Sequence, residues 1–311
     1  MALKDIKTKI QATLRTHKVT RAMEAVSAVK MRKTQASALA GRPYARAALS
    51  VLTRVAGTEV MKHHPLMGGL RKSSSESGLT KSKLALVIIT SDKGLAGALN
   101  GSVIKSAVTA LGGRSADDVV VYAYGKKGEE FFRRRNYEIR KSFENKSDDV
   151  SLTHMETMAK ELSEGFLRGD YDKVITVYSN FKSTFEQTPT TRRLLPLSLQ
   201  ALKEIVDGIV PSKGKWSNLQ TIEPPATYSV EPDEAEVLDR LVPRLVAVAL
   251  YNMLLEAKAS EHSARMVAMK SASDKSKEVA HDLQRLFNKI RQASITREVS
   301  EIVSGREALA A

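Results

Sequence analysis

A seven-residue repeat of apolar residues dominates the C-terminal quarter of the chain. Steps of four and three alternate from Leu241 to Ser294, and eleven of the sixteen positions reached are apolar while none is charged. Such a repeat over about eight heptads is typical of a coiled coil. No glycine occurs between Asp239 and Ser304, and Pro243 fits a first helical turn. We expect one helix of about 100 Å at 1.5 Å per residue, with Gly305 as its C-cap.

A second long helix is predicted at the N-terminus. Residues 2–40 contain neither glycine nor proline, and after an interruption at Gly41 and Pro43 the helical pattern resumes from Tyr44 to Val55. Its apolar stripe is predicted at Ile6, Ile10, Leu14, Val19, Met23, Val26 and Val29. Because a narrow stripe buries against only one or two helices, we predict an antiparallel intramolecular coiled coil of the two termini. A homodimer is the alternative.

The basic charge is concentrated in the N-terminal helix. The chain has 49 Lys and Arg against 35 Asp and Glu, a net charge of +14. Residues 1–54 account for +10 of it, with twelve basic and two acidic residues, whereas residues 233–311 have twelve of each. This excess indicates an anionic partner: an acidic protein, nucleic acid or acidic lipid. Aromatic residues form only 5% of the chain, which disfavours nucleic-acid binding by base stacking.

The middle of the chain alternates between predicted strands and helices. Strands are expected from Leu84, Asp118, Tyr137 and Lys173, with helices between them and a hairpin arm from Thr188 to Leu197. This order predicts a Rossmann-like α/β domain with a mostly parallel sheet. The predicted organisation is an N-terminal shaft helix (1–56), a flexible linker (57–83), an α/β domain (84–232) and a C-terminal shaft helix (233–311).

No pattern for catalysis, a cofactor or a metal stands out. The glycines at 94, 97 and 101 do not have the spacing of a dinucleotide-binding loop. The turn that contains them is either a tight strand-to-helix connection or a polar docking loop of Asp92, Lys93 and Asn100. The His63-His64 pair is expected in an exposed loop. Cysteine is absent, so disulfides and thiol catalysis are excluded. The sequence shows neither an apolar run of membrane-spanning length nor a secretory signal.

Basic residues also cluster from Lys126 to Lys141. The cluster includes three consecutive arginines, Arg133 to Arg135. It is either a solvated face or a contact surface for an acidic protein or lipid head groups.

Three blocks of sequence resemble one family. The first is Thr20 to Lys33, TRAMEAVSAVKMRK, and the second is the turn Ser91 to Asn100, SDKGLAGALN. The third is Ala259 to Lys270, ASEHSARMVAMK, followed by RQASITREVSEIVSG from Arg291. Together they resemble the γ subunit of the F-type ATP synthase, in the same order and over nearly the whole chain.

The resemblance implies a non-catalytic rotor subunit in the central stalk, holding no cofactor. Its implied partners are the α and β subunits as an α3β3 hexamer, the ε subunit and the c-ring. It implies a peripheral position on the cytoplasmic face of a bacterial inner membrane, or on the mitochondrial matrix side. Contacts with α and β are implied at Arg21, Met23, Lys30, Lys93, Arg265, Arg291, Gln292, Thr296 and Glu298. Contacts with ε and the c-ring are implied at Tyr228, Glu231 and Asp233.

Two other function classes compete with this interpretation. One is a basic coiled-coil protein that binds nucleic acid or an anionic membrane, which steep salt dependence of DNA binding would support. The other is an enzyme with a degenerate α/β nucleotide domain, which measurable ATP or NAD binding by the isolated chain would support.

Overall fold

The computed structural model describes residues 3–55, 63–67, 83–145, 150, 152–198, 200 and 233–310. They belong to two compact units. The helical unit comprises Met1–Ser27 and Arg265–Ala311, and the sheet unit comprises Ala28–Ala264. Most of the predicted linker, and residues 201–232 of the predicted α/β domain, lie outside the described residues.

Five α-helices and five strands are described, together with short 3-10 turns at Pro65–Met67 and Ala116–Asp118. In chain order the helices and strands are α1 (Leu3–Val55), β1 (Leu84–Ile89), α2 (Leu99–Leu111), β2 (Val119–Tyr124), α3 (Lys126–Arg133), β3 (Glu138–Phe143), α4 (Leu152–Arg168), β4 (Lys173–Phe181), β5 (Gln187–Leu195) and α5 (Glu234–Ala310).

Both long helices lie within the predicted shaft segments, but α1 lacks the expected interruption and α5 is longer than the stretch from Asp239 to Ser304. Helix α1 continues through Gly41 and Pro43. Helix α5 begins at Glu234, so Pro243 lies inside it and not in its first turn. The Asp233 carboxylate accepts a hydrogen bond of 2.8 Å from the Glu236 backbone N–H, which is the contact of an N-cap. Gly305 is not a C-cap, because α5 continues to Ala310.

The sheet has the order β3-β2-β1-β4-β5. Strands β1 to β4 pair in parallel, and β5 pairs with β4 in antiparallel, so the predicted mostly parallel sheet is confirmed. Strand β1 is buried at every position, as expected for a central parallel strand covered on both faces. Its alternate residues enter two cores: Ala85 joins one with α4 and α5, and Leu86 joins one with α2 and α3.

Within the sheet unit, α5 is a core element. Val242, Val246, Leu250 and Leu254 lie in the core beside β1 and β4. Every residue from Asn252 to Ser263 is buried. The predicted heptad positions Asn252, Leu255, Ala259 and His262 are therefore buried as expected, but so are the charged residues between them, which a two-helix coiled coil alone would leave in solvent. The heptad stripe accounts for only part of the buried surface.

The helical unit contains the coiled coil, and α5 follows the predicted register there. Among residues 281–294, only Leu283, Phe287, Ile290 and Ser294 are partly buried and the rest are exposed. The His17 imidazole of α1 lies within hydrogen-bonding distance of Ser273 of α5. This contact, between residues near the two ends of the chain, belongs to the antiparallel pairing of α1 and α5.

After Ile10 the predicted stripe on α1 is wrong at Leu14, Val19, Val26 and Val29, whereas Met23 is partly buried. Leu14, Val19 and Val26 are 43%, 58% and 54% exposed, whereas Thr20 and Ser27 are buried. The buried line continues from Ile6 and Ile10 through partly buried Thr13 and His17. The hydroxyl groups of Thr13, Thr20 and Ser27 are hydrogen-bonded within the helix. Each donates to a carbonyl oxygen four residues earlier: Thr13 to Lys9, Thr20 to Thr16 and Ser27 to Met23. A hydroxyl bonded in this way packs as a small side chain without an unpaired donor.

Candidate interaction surfaces

The outward face of α1 combines apolar and cationic side chains. Leu14, Val19 and Val26 are exposed there, and Arg21 is exposed between the last two. Met23 is partly buried. Lys30, also partly buried, belongs to the sheet unit. An exposed apolar series on a basic helix is suited to contact with an acidic protein surface that also covers apolar area.

The C-terminal part of α5 presents a second apolar face. Ile295, Val299 and Ile302 are exposed, with the spacing of neighbours on one helix surface. The predicted contact residues Arg291, Gln292, Thr296 and Glu298 are exposed beside them. Two of these are already bonded within the helix. The Thr296 hydroxyl donates to the Gln292 carbonyl oxygen, and Glu298 accepts from the Ser294 hydroxyl at 3.2 Å.

The turn after β1 is internally braced. The Asn100 side chain accepts from the Ser91 backbone N–H at 3.0 Å and donates to the Ser91 hydroxyl at 2.7 Å. Asp92 accepts from the Lys126 backbone N–H at 2.9 Å, which ties the turn to the start of α3. Two of the three residues considered for a docking loop therefore hold the turn in place. Lys93 is exposed, next to exposed Leu95.

The remaining predicted contact residues are not brought to one place. Arg265 is partly buried in the helical unit, and exposed Asp233 caps α5 in the sheet unit. Tyr228 and Glu231 lie outside the described residues.

A buried carboxyl group on α5 was missed by the sequence analysis. Glu256 is 8% exposed, and burial raises the pKa of its carboxyl to about 7, although a hydrogen bond from Tyr178 and the charge of Arg192 act to lower it. The Arg192 guanidinium donates to the Tyr178 hydroxyl at 2.9 Å. In a coiled coil, a charged residue beside the seam is expected to be exposed. The heptad repeat therefore predicts an exposed Glu256, and its burial could not be foreseen from the sequence.

A second buried polar group surrounds Asn145, at the end of the segment that follows β3. Lys258 of α5, 2% exposed, donates to the Asn145 carbonyl oxygen at 3.2 Å. The Asn145 amide donates to the Thr90 carbonyl oxygen at 2.8 Å and lies 3.4 Å from the Glu261 carboxylate. These contacts fix α5 at the carboxyl edge of β1, and buried charged groups need such partners.

The prediction of an exposed loop is wrong for His64. The residue is 7% exposed, and its Nε2 lies 3.3 Å from the Asp239 carboxylate. Burial lowers the pKa of the His64 imidazole, and Asp239 opposes that effect. The neighbouring Leu66 is also buried, in the core with α4 and α5. Its carbonyl oxygen accepts from the Leu197 backbone N–H at 2.8 Å.

The basic cluster from Lys126 to Lys141 is largely paired with carboxylates. Lys126 bonds Glu144 at 3.0 Å, and Arg140 bonds both Glu138 and Asp170. The cluster also contains the ion pairs Lys127–Glu130, Arg133–Glu129 and Lys141–Glu161. Because its charge is locally balanced, the arrangement favours a solvated face over an anion-binding surface.

The described part of the molecule lacks two specific features. In that part, no three His, Cys, Asp or Glu residues are grouped so as to hold a metal ion. None of the described helices combines the length and the apolar character needed to cross a membrane.

Comparison with known proteins agrees with this description. The family model described as ATP synthase matches residues 2–309. The ATP synthase gamma chain of Roseiflexus sp. (strain RS-1) is 38% identical over 99% of this chain and 98% of its own length. That of Heliobacterium modesticaldum is 35% identical over 99% of both chains. The chain belongs to the ATP synthase γ-chain family. Its function is accordingly that of a γ chain, and the relatives of this family are mostly bacterial.

The architecture of the chain also resembles that of chains in solved ATP synthase structures. A chain from the central stalk and c-ring of the Tetrahymena thermophila mitochondrial ATP synthase is 25% identical, with a TM-score of 0.55. The match covers 82% of this chain and 99% of that one. A chain from the Euglena gracilis mitochondrial ATP synthase has a TM-score of 0.62 at 18% identity, over 99% of this chain and 94% of that one. The latter likeness shows the fold.

Proposed function

We propose that the chain is the central-stalk rotor subunit of its ATP synthase. In this role it couples ion-driven rotation of the c-ring to conformational changes at the β catalytic sites, for ATP synthesis or for hydrolysis in reverse. The observation that carries the proposal is the helical unit. Its two helices satisfy each other along one seam, yet both present exposed apolar residues outward, Val19 and Val26 on α1 and Val299 and Ile302 on α5. Such faces require a surrounding partner.

The partners of the helical unit are the α and β subunits, arranged as an α3β3 hexamer. Arg21 and Met23 on α1, and Arg265, Arg291, Gln292, Thr296 and Glu298 on α5, are the contact residues of that unit. In the sheet unit, Lys30 and Lys93 contact the hexamer. The exposure of Arg21, Lys93 and Arg291 supports this assignment.

The partners of the sheet unit are the ε subunit and the c-ring. Their contacts lie at Tyr228, Glu231 and Asp233. Association with the membrane is through the complex, on the cytoplasmic face of the bacterial inner membrane. The bacterial relatives support this location over the mitochondrial matrix.

The mechanism is a population shift imposed by contact. A rotor has no need to bind nucleotide if its surface interacts differently with alternative conformations of β. The two helices provide this difference, since the exposed face of α1 is basic, with Arg15, Lys18 and Arg21, whereas Arg291 and Glu298 on α5 have opposite charges. As the unit turns, each β subunit meets these faces in succession, and contact energy favours a different conformation at each step.

Co-purification tests the proposal. When the chain is expressed with α, β and ε subunits from one of the bacterial relatives, we expect one copy to purify with three α and three β subunits. The reconstituted complex is expected to couple ATP hydrolysis to proton pumping. A double charge reversal, Arg21→Glu with Arg291→Glu, is expected to reduce coupled pumping, whereas Lys127→Glu with Arg134→Glu in the sheet unit is the matched control. Recovery of a free homodimer in the presence of these subunits would contradict the proposal.

A further inference from the structure

A groove in the sheet unit is lined by described residues that are not among the predicted contact residues. It runs between helix α2 and strand β5 and has a volume of about 690 Å³, within the range of ligand-binding clefts. One wall is the flank of α2, where Ser102, Ser106 and Thr109 adjoin the buried stripe of that helix. The opposite wall is β5, with Pro189 and Thr191. The two walls meet where the Ser106 and Thr191 hydroxyl oxygens lie 3.4 Å apart.

The groove is positively charged. Lys105, Arg114 and Lys173 line it, all three are exposed, and none of its described lining residues is acidic. Arg193 lies two residues beyond Thr191 on the same face of β5 and is paired with Ile175 of β4. The groove combines these cations with the hydroxyl groups of Ser102, Ser106 and Thr109.

The floor of the groove is apolar. Leu84 and Ile175 are buried, and Pro189 is partly buried at the other side. Leu84 and Lys173 are the paired first residues of β1 and β4, so the groove opens at the amino edge of the parallel strands. The Ser91 turn follows the opposite, carboxyl edge, where ligands of open α/β sheets usually bind. The groove is therefore on the edge of the sheet opposite to that of a typical nucleotide-binding loop.

We propose that this groove binds an extended acidic segment of a partner protein. The stretch of α2 from Ser102 to Thr109 is about 10 Å long at 1.5 Å per residue, which matches about three residues of extended chain. In a strand-like segment alternate side chains point to opposite sides. Carboxylates on one side therefore meet Lys105 and Lys173, and aliphatic side chains on the other pack on Leu84 and Ile175. Charge complementarity of this kind selects the partner and speeds association.

The lining chemistry favours a protein over other polyanions. None of the described lining residues is aromatic, so single-stranded nucleic acid would find no stacking platform. A lipid surface can approach the exposed cations but cannot pack against the buried floor of Leu84 and Ile175. An acidic peptide satisfies both the cations and the apolar floor.

A labelled peptide tests this surface on the purified full-length chain. The probe is an eight-residue peptide of alternating glutamate and valine that carries a fluorophore, and binding is followed by anisotropy at 50 and 150 mM salt. The groove variant is Lys105→Glu with Lys173→Glu. The matched control is Lys127→Glu with Arg134→Glu, which changes the net charge equally on the same unit. A third variant, Ser106→Trp, fills the groove without changing its charge.

We expect the groove variant and Ser106→Trp to weaken peptide binding at least tenfold and the control to change it less than twofold. Circular dichroism checks that all variants are folded. Equal weakening by groove and control variants would overturn the proposal, and so would a failure of the peptide to bind at 100 μM. Groove-dependent binding of phosphatidylglycerol vesicles or an oligonucleotide in place of the peptide would assign the surface to another partner class. Dimerisation that is lost in the groove variant would assign it to a second copy of the chain.

Discussion

The His17 Nδ1 atom lies 2.9 Å from the Ser273 hydroxyl oxygen and 3.0 Å from the Ser273 carbonyl oxygen, although the residues are 256 positions apart. Both residues lie on the seam of the helical unit. A polar contact on a coiled-coil seam fixes the register of the helices at some cost in stability. The contact therefore fixes the register of α1 against α5 in the helical unit.

This contact predicts a measurable coupling energy. In a double-mutant cycle of His17→Ala and Ser273→Ala, we expect the two changes to couple by about 1 kcal/mol, the usual net value of one hydrogen bond. Chemical denaturation of the full chain provides the free energies of unfolding. Thr16→Ala replaces His17→Ala in the control cycle, because Thr16 is exposed and bonds only within its own helix. If the control cycle gives an equally large coupling energy, the coupling does not come from the contact between His17 and Ser273.

Adjacent residues on α5 test the seam. Phe287 is partly buried on the seam, whereas Leu286 is 42% exposed. Phe287→Asp should destabilise the helical unit by about 2–4 kcal/mol, because it removes apolar burial and introduces a charge. Leu286→Asp should cost less than about 1 kcal/mol. Amide hydrogen exchange of residues 266–294 in the isolated chain measures the loss of stability caused by each substitution.

In the assembled complex, Phe287→Asp should uncouple ATP hydrolysis from proton pumping. Unaltered coupling in this variant would argue against this seam.

The buried Glu256 predicts an unusual dependence of stability on pH. Its pKa is raised from 4.5 to about 7 by burial, so between these values the native protein binds more protons than the unfolded chain. Stability should therefore fall as the pH rises through this range and then level off. Glu256→Gln should remove about 3 kcal/mol of this loss above pH 7, as measured by denaturation at pH 5 and pH 8. Glu156→Gln, at an exposed position of α4, should leave stability at pH 8 unchanged.

Two glycines should respond oppositely to alanine. Gly125 has a φ of +100°, and a Cβ there would overlap the Thr90 carbonyl group, which is backbone and cannot move aside. Gly125→Ala should therefore destabilise the sheet unit by more than about 2 kcal/mol. Gly101 lies in α2, and no atom lies within 4 Å of the place that an alanine Cβ would occupy. Gly101→Ala should stabilise by up to about 1 kcal/mol through helix propensity. Thermal unfolding of each variant checks both signs.

The order and type of the elements were predictable because they depend on local pattern. The heptads around Phe287 repeat with the period of a helix, whereas the six-residue apolar run at Leu84 has the length and the Val and Ile content of a buried strand. The resemblance to the γ-chain family likewise depends on short blocks of sequence. Contacts within the Ser91 turn were less predictable, since a polar residue such as Asn100 serves equally well to brace a turn or to bind a partner.

The helical or extended state of each segment, the concentration of positive charge in α1 and the family all follow from the amino-acid sequence alone. Which faces of the helices are covered depends on how the elements pack. Thr20 and Ser27 are buried while Val19 and Val26 are exposed, because the position of a residue on the paired helices, and not its hydropathy, decides whether it meets the partner helix. Glu256 and Lys258 are buried for a related reason: residues 252–263 of α5 are covered on every side, and distant residues such as Tyr178 and Asn145 supply the hydrogen bonds that make this possible.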